Sequence, residues 1–434
     1  MKFTSRIALF FAGILLSSGI AASQNYVERV KENPAIASGV YHPYHTENLS
    51  DTPAPKGYKP FYISHFGRHG SRYHTLLKYF EAGKNGLEEA ARAGILTADG
   101  KALQTDFLTV MNEHNGLEGE LSPLGAREHK GVARRMYKRF TPVFNSRSRK
   151  EIDCVSSNIR RCIISMANFS ESLDDQNPEL DFTFHTGDKY FAYIMKPGKD
   201  KTIGKACSAA EDSVRKADCK YDKLFSRIFT DAEKALELIP EPQAFTKSVY
   251  MAGAICPDLD YLGIDIFKYF DYTELAAQSY VILDRMYGDC GNSLDYGDRC
   301  VCAADNLLAD IISKADEALK DGSHRAADLR FGHDSGLLPL IGLMEIKEMS
   351  DRCRMVGAHD HWTTYDNIPM CSNIQLIFYR GKSGDVLVKL LYNEKETTVP
   401  AVKTLQGPYY RWDDLKAYFQ SRVEMANRYN AQFD

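Results

Sequence analysis

The first part of the chain repeats one pattern, in which a short apolar run is followed by a polar turn and then by a helical pattern. Residues 60–64 form an apolar run that predicts a buried strand, and a helical pattern follows through about residue 115. Residues 151–156 predict a second strand, with a helix over residues 159–173. Repetition of strand, loop and helix is typical of an α/β fold. We therefore predict an α/β core with a mostly parallel sheet flanked by helices.

The pattern changes in the middle of the chain. Residues 182–322 are largely helical, and in residues 304–320 the apolar positions recur with the period of a helix. Strand and helix patterns then return at residues 328–331 (strand), 335–343 (helix), 374–379 and 385–391 (a strand pair) and 413–427 (helix). This order predicts an α-helical cap domain, residues 182–322, inserted into a core formed by residues 24–181 and 323–434.

The first residues have the layout of a secretory signal peptide. Lys2 and Arg6 precede an apolar run from Ile7 to Ile20, and small residues lead to Ser23. The alternative is a membrane anchor, but the run is shorter than the ~20 residues that a span needs. We expect a signal peptide over residues 1–23, with cleavage near Ser23, and a periplasmic or secreted protein without a membrane span.

Composition and charge are those of an ordinary globular protein. Apolar residues make up 44% and charged residues 26%, which excludes a disordered or collagen-like chain. The formal charge is 54 minus 58, or -4, so nothing indicates a nucleic-acid partner, which would require a strongly basic face.

Ten cysteines fit an exported protein with disulfide bonds. The pairs Cys207 with Cys219 and Cys353 with Cys371 each enclose a polar loop and are the first expectation, although the sequence does not fix the connectivity. A zinc site is the alternative, but Cys300 and Cys302 are spaced more tightly than usual zinc ligands and no second pair accompanies them.

The segment from Arg68 to Arg72 (RHGSR) follows the first predicted strand, where open α/β sheets bind ligands. Two guanidinium groups that match phosphate oxygens flank His69. Gly70 lets the backbone pass close to a bound group, and permanent cations bias the imidazole toward its neutral, nucleophilic form. This combination suits attack on phosphorus. The alternative is a solvated basic turn with a chance histidine.

Two further segments follow later strands. His333 could donate to a phosphoryl oxygen and Asp334 could give a proton to a leaving oxygen, or the two could be a structural hydrogen-bonded couple. Residues 156–161 (SSNIRR) open a helix, and one more arginine there would complete a phosphate clamp. Arg160 and Arg161 compete for that role, and a basic first turn of a surface helix is the alternative.

Together these motifs resemble the histidine acid phosphatase family, branch 2 of the histidine phosphatase superfamily, which includes phytases and multiple inositol polyphosphate phosphatases. The family's marks are RHGxRxP, a later serine-rich segment that ends in arginine, and an HD or HAE motif. This chain has RHGSRYH from Arg68, the segment 156–161, and His333-Asp334 in the same order. The segment 121–125 (LSPLG) is also similar. Order and spacing match over roughly residues 60–380, including the helical insertion.

The resemblance implies a histidine-phosphatase-like core and a role for each matching residue. His69 would be the nucleophile that forms a phosphohistidine, and Asp334 would be the proton donor. The phosphate would be bound by Arg68, Arg72, Arg161 and His333. Arg161 is preferred over Arg160 because its offset from the serine pair matches the family's segment. No metal or cofactor is implied.

Two departures from the family pattern stand out. His74 replaces the usual proline, and we expect it on the surface, with added positive charge at acid pH as the alternative. The second motif is HD, as in acid phosphatases and fungal or enteric phytases, whereas inositol polyphosphate phosphatases more often have HAE.

These observations predict an exported phosphomonoester hydrolase that acts on small-molecule phosphate esters, with phytate or related inositol polyphosphates favoured. A broad acid phosphatase or a sugar-phosphate phosphatase is the alternative, and a phosphate-ester binding protein is the non-enzyme alternative. The sequence does not fix the oligomeric state, and we expect a monomer.

Overall fold

A computed structural model describes residues 25–47, 49–194 and 198–433. The predicted signal peptide, residues 1–23, lies outside the described residues. No helix in these ranges is long and apolar enough to cross a membrane.

Eight strands of the described chain form one mixed sheet in the order β3-β2-β4-β1-β5-β6-β7, with β8 also paired to β6. The strands are β1 Lys59–Arg68, β2 Glu151–Ser156, β3 Asp181–His185, β4 Arg325–Gly332, β5 Asn373–Arg380, β6 Val386–Tyr392, β7 Lys395–Thr397 and β8 Tyr410–Arg411. Strands β1 to β4 are mutually parallel, and the predicted pair β5 and β6 is antiparallel. The predicted fold class is confirmed.

The α-helices of the described ranges surround this sheet. They are α1 Tyr26–Glu32, α2 Glu81–Arg92, α3 Ala98–Glu113, α4 Pro123–Arg139, α5 Thr141–Phe144, α6 Arg160–Asp174, α7 Asp188–Ile194, α8 Lys201–Asp218, α9 Asp222–Ile228, α10 Ala232–Leu238, α11 Pro242–Ile255, α12 Tyr272–Cys290, α13 Gly297–Cys300, α14 Asp305–Leu319, α15 Asp334–Met344, α16 Thr364–Asn367 and α17 Trp412–Asn430.

Both faces of the sheet are buried, because side chains alternate along each strand. Within β1, Ile63 packs into a cluster with α4 and α6 on one face. Its neighbour Tyr62 packs into the larger cluster with α14, α15 and α17 on the other face. Parallel strands buried on both faces are expected for this architecture.

The strand order explains why the distant motifs meet. Strands β2, β4 and β1 are adjacent and parallel, so their carboxyl ends lie at one edge of the sheet. Strand β1 ends at Arg68, β2 at Ser156 and β4 at Gly332. Each motif therefore begins at the same edge, which is the usual ligand crevice of such a sheet.

Several element boundaries differ from the sequence predictions. Strand β1 continues past Ser64 to Arg68, because Phe66 and Gly67 still pair with β4 across the glycine. The helical pattern to residue 115 is divided between α2 and α3. Strand β3, at the predicted start of the cap domain, was not predicted and pairs with β2.

The predicted cap domain contains helices α7 to α14, with α8 packed along α12. Because β3 belongs to the sheet, the first residues of the range 182–322 are part of the core architecture. The domain boundaries themselves stay a prediction.

The two predicted disulfide bonds are absent, and none joins any cysteine of the described chain. Cys207 lies within α8 and Cys219 directly follows that helix. Twelve residues of helix rise about 18 Å, well beyond the ~7 Å that a disulfide allows between Cα atoms. Cys353 bonds through its backbone N–H to the Tyr287 hydroxyl, whereas Cys371 lies beside the RHG segment. The expectation of disulfides at these pairs was wrong.

Candidate active site

Five of the six predicted site residues are directly linked or adjacent at the carboxyl edge of the sheet. The rings of His69 and His333 are 5.5 Å apart between centroids. The Arg161 Nη2 atom lies 3.3 Å from His333 Nδ1, and the Arg68 Nη2 atom lies 2.9 Å from Asp334 Oδ2. Side chains that are up to 266 residues apart in the chain therefore line one site.

The His69 ring is held in one orientation. Its Nδ1 atom lies 2.9 Å from the Gly70 carbonyl oxygen, which can only accept, so Nδ1 carries the hydrogen in this contact. Burial, together with Arg161, Arg68 and Arg72, holds the pKa of His69 well below its ordinary value. The ring is therefore neutral, and its Nε2 atom carries the lone pair.

Arg68 is completely buried and is fixed by backbone carbonyls. Its Nη1 atom donates to the carbonyl oxygens of Val40 and Ile368 at 2.9 and 2.7 Å. Its Nη2 atom faces the Asp334 carboxylate. The guanidinium thus connects the backbone carbonyls of Val40 and Ile368 to Asp334, the proposed proton donor.

Arg72, the sixth predicted residue, is nine-tenths buried and makes few contacts through its guanidinium. Its Nη1 atom donates to the Tyr73 carbonyl oxygen at 2.8 Å, and the group lies over the Tyr41 ring at 5.4 Å. No carboxylate forms a salt bridge with it in the described part of the chain. Its positive charge is therefore not held in a direct ion pair among the described residues and suits a bound anion.

The structure separates the two arginines that competed in the sequence. Arg161 turns inward to His333 and the Gly119 carbonyl. Arg160 points outward, where its side chain is 76% exposed and pairs with Glu120. The inward position of Arg161 agrees with the preference based on the family's spacing.

His333 is held by Ser157, a residue that the sequence analysis left without a role. The His333 Nε2 atom lies 3.1 Å from Ser157 Oγ, and its Nδ1 atom faces Arg161. Burial, followed by Arg161, lowers the pKa of His333 to about 3. The Arg161 guanidinium can only donate, so Nδ1 accepts in this contact, and the neutral ring carries its hydrogen on Nε2, which donates to Ser157 Oγ.

Asp334 is ionised in this arrangement. Burial alone raises its pKa, but the nearby Arg68 and Arg72 guanidiniums outweigh burial and hold the pKa below its ordinary value. Its Oδ1 atom also accepts from the Ser335 backbone N–H at 2.7 Å.

The expectation that His74 lies on the surface was wrong. The residue is 1% exposed, its Nε2 atom bonds to the Met251 carbonyl oxygen, and its ring stacks on His114. Burial holds the pKa of His74 well below its ordinary value. The ring therefore stays neutral and adds no charge at mildly acid pH.

Packing around the RHGSR segment depends on two glycines. A Cβ atom on Gly70 would lie 2.6 Å from the Gly125 carbonyl oxygen, and one on Gly125 would overlap the Ser71 carbonyl oxygen. Ser122 of the LSPLG segment caps α4, and Pro123 occupies the first helical position. The segment thus places the start of α4 against the RHGSR loop.

The same helix carries a contact that the sequence analysis missed. Glu128 accepts from the Ser71 backbone N–H at 2.7 Å and from the Ser71 hydroxyl at 2.9 Å. The sequence does contain a signal for this contact. Glu128 follows Gly125 by one helical turn and so lies on the face of α4 that meets the loop.

Comparison with known proteins identifies the family of the chain. The model of the histidine phosphatase superfamily (branch 2) matches residues 67–393, more than half of the chain. No curated protein matches the chain in sequence.

Solved structures show a similar fold. The multiple inositol polyphosphate phosphatase of Bifidobacterium longum, in complex with phosphate, has a TM-score of 0.74 and 21% identity, covering 89% of this chain and 98% of that chain. The phytase of D. castellii has a TM-score of 0.65 and 14% identity, covering 91% and 87%. The phytase of Citrobacter braakii has a TM-score of 0.54 and 11% identity, covering 85% and 99%. At these identities the similarity concerns the fold.

Proposed function

The chain belongs to the histidine phosphatase superfamily (branch 2), and from this premise we propose that it hydrolyses phosphomonoesters through a phosphohistidine on His69. Family membership makes it a phosphatase, as the motifs predicted. The observation that carries the proposal is the neutral His69 ring, with Nδ1 engaged by Gly70 and three arginines around it.

In the first step the His69 Nε2 lone pair forms a bond to phosphorus. The bond between phosphorus and the ester oxygen breaks, and its electron pair moves to the leaving oxygen. Asp334 gives that oxygen a proton as general acid, so that no free alkoxide forms. The cationic side chains of Arg68, Arg72 and Arg161 stabilise the charge on the other phosphoryl oxygens. His333 becomes a further donor when Arg161 turns to the phosphate and the ring carries its hydrogen on Nδ1.

In the second step water attacks the phosphohistidine. The Asp334 carboxylate takes a proton from the water, whose oxygen forms the new bond to phosphorus. The bond between Nε2 and phosphorus breaks, and its electron pair returns to the His69 ring. Inorganic phosphate then leaves, and Asp334 is again protonated for the next cycle.

We propose that the chain is exported and that its substrate is phytate or a related inositol polyphosphate. This is supported by the names of the similar structures, which are an inositol polyphosphate phosphatase and phytases. A broad acid phosphatase or a sugar-phosphate phosphatase is the second candidate, because the HD motif is shared with acid phosphatases.

The test is phosphate release from phytate, glucose 1-phosphate and p-nitrophenyl phosphate without divalent metal, for the native chain, His69→Ala and His324→Ala. His324 is an exposed histidine just before β4, bonded to the Ser148 carbonyl oxygen, and serves as the matched control. We expect turnover to fall by about 10³-fold or more in His69→Ala and to be unchanged in His324→Ala. Intact-mass analysis after an alkaline quench should detect a phosphorylated native chain.

Three results would decide against parts of the proposal. Full turnover by a folded His69→Ala protein would reject the nucleophile. Tight binding of inorganic phosphate without turnover by the native chain would favour a phosphate-ester binding protein. Preference for glucose 1-phosphate over phytate would select the sugar-phosphate alternative.

A further inference from the structure

One side chain of the helical region contacts the backbone of the RHGSR segment. Asp258 lies in a 3-10 turn, Cys256–Leu262, directly after α11, and is fully buried. Its Oδ2 atom accepts from the Arg72 backbone N–H at 3.1 Å across 186 residues of sequence. The contact joins the predicted cap domain, residues 182–322, to the phosphate site.

The preceding peptide is held in the same manner from another direction. Glu128 on α4 accepts from the Ser71 backbone N–H and hydroxyl, and also from the Tyr44 backbone N–H at 2.7 Å. Two successive peptide groups are therefore each bonded to a buried carboxyl group. Such bonds fix the backbone direction because an unmade bond would leave a buried N–H without a partner.

The Arg72 side chain itself has little to fix its direction. Its Nε atom has no hydrogen-bond partner among the described residues, and its Nη1 atom bonds to the Tyr73 carbonyl of the same loop. Arg68, in contrast, is fixed by Val40 and Ile368 from outside its own segment. The direction of the Arg72 guanidinium thus depends on where the loop backbone is placed.

We infer that Asp258 is a positioning residue, which holds the Arg72 backbone so that its guanidinium faces the phosphate. Asp258 touches neither the substrate nor the reacting atoms and acts through Arg72. The helical region therefore supplies part of the phosphate clamp. This inference rests on the proposed function, because it concerns the binding of the transferred phosphoryl group.

Electrostatics agree with a hydrogen-bonding role for Asp258 rather than a charge role. Burial, followed by the neighbouring Glu128, raises the pKa of Asp258 well above its ordinary value. A neutral carboxyl group can still accept from the Arg72 N–H through its carbonyl oxygen, and it adds no negative charge beside the Arg72 guanidinium. An asparagine would do the same, whereas a leucine of similar size would not.

The experiment compares Asp258→Asn and Asp258→Leu with Asp260→Asn as the matched control. Asp260 lies in the same turn but is half exposed and pairs with Arg127 on the surface. For each protein we would measure kcat and KM with p-nitrophenyl phosphate, inhibition by inorganic phosphate, and Tm. We expect Asp258→Leu to lose about 10- to 100-fold in kcat/KM and to bind inorganic phosphate about tenfold more weakly, as a displaced binding group does. Asp258→Asn should stay within about threefold of the native chain, and Asp260→Asn should be unchanged.

Two further measurements separate positioning from general stabilisation. If Asp258 acts through Arg72, adding Asp258→Leu to an Arg72→Ala protein should lower kcat/KM by at most about a further twofold. The reason is that two substitutions acting through one group do not give additive losses. If Asp258→Leu shows no cooperative unfolding, Asp258→Ala removes the same acceptor with less bulk and takes its place in both comparisons.

Native kinetics in a folded Asp258→Leu protein would overturn the inference, as would an Asp258→Asn protein that is equally impaired. Full additivity with Arg72→Ala would also overturn it. Failure of the proposed function has a different signature, because the native chain would then show no turnover that depends on His69.

Discussion

The Arg68 Nη2 atom lies 2.9 Å from the Asp334 Oδ2 atom, so the proposed proton donor is paired with one of the proposed phosphate ligands. The pair holds Asp334 ionised. A phosphate ester dianion that binds Arg68 would compete for the same positive charge, and the Asp334 pKa would then rise. Substrate binding would therefore prepare the acid that the proposed first step requires.

Asp334→Asn should impair turnover in proportion to how much the leaving group needs a proton. Glucose is a poor leaving group unless its departing oxygen receives a proton, so for glucose 1-phosphate we expect the first turnover to slow by about 10²- to 10⁴-fold. For p-nitrophenyl phosphate the loss should be far smaller, because p-nitrophenolate leaves without a proton. Stopped-flow measurement of the first turnover checks this prediction. An equal loss for both substrates would show that Asp334 is not the proton donor.

The pH dependence of kcat should show an acid optimum. The pKa of His333 is about 3, so that ring stays neutral as the pH falls from 7 to 4. Burial and the neighbouring arginines hold the pKa of His69 well below its ordinary value, which keeps the nucleophile neutral into the acid range. Asp334 in the complex becomes protonated over the acid range, and kcat should therefore increase as the pH falls through its raised pKa. Steady-state rates at saturating substrate from pH 4 to 8 test this. A rate that climbs steadily above neutrality would contradict it.

Arg161 and Arg160 offer a matched pair of substitutions on neighbouring positions. Arg161→Ala removes an inward cation beside His333 and should lower kcat/KM by about 10²- to 10³-fold, as loss of one transition-state donor does. Arg160→Ala removes an exposed partner of Glu120 and should leave kcat/KM and Tm nearly unchanged. The two kcat/KM values decide the assignment, and a larger loss in Arg160→Ala would reverse it.

The convergence of the site could be predicted because it follows from strand order and local sequence. His69, Arg161 and His333 each follow the end of a predicted strand within five residues, and parallel strands place such residues at one edge. Their assigned catalytic roles stay predictions. The contact between Asp258 and Arg72 could not be predicted, because it joins segments far apart in sequence and depends on how the helical region packs. The buried position of His74 has the same origin.

A buried histidine away from the site should make the protein less stable in acid. His129 is 1% exposed between Phe169 and Phe331, and neither ring nitrogen has a hydrogen-bond partner among the described residues. Burial lowers its pKa to about 3. Between about pH 6.5 and 3 the unfolded chain therefore binds one more proton at this residue, so the free energy of unfolding falls as the pH falls.

His129→Phe should remove this dependence while keeping a ring of similar size. When the unfolded chain binds one proton more than the folded chain, each pH unit below 6.5 lowers the free energy of unfolding by about 1.4 kcal/mol. Between pH 6.5 and 4 the variant should therefore lose about 3 kcal/mol less of this free energy than the native chain. Urea unfolding at the two pH values measures the difference. Parallel losses in the two proteins would mean that His129 does not carry the acid sensitivity.

Two glycines on α4 should respond in opposite ways to substitution by alanine. In Gly125→Ala the new Cβ would overlap the Ser71 carbonyl oxygen, which is backbone and cannot turn aside. The start of the helix or the RHGSR segment would have to move, and a shift of the segment that carries His69 and Arg72 should lower kcat by about tenfold or more. In Gly131→Ala the new Cβ would lie 3.1 Å from the Arg135 Nη1 atom, a side-chain atom that has to give by only a few tenths of an ångström. Alanine is the better helix former, so this variant should keep its kcat and gain up to about 1 kcal/mol in unfolding free energy. Steady-state kinetics with urea unfolding on both variants tests the pair, and native kcat in Gly125→Ala would show that the close approach of α4 does not position the site.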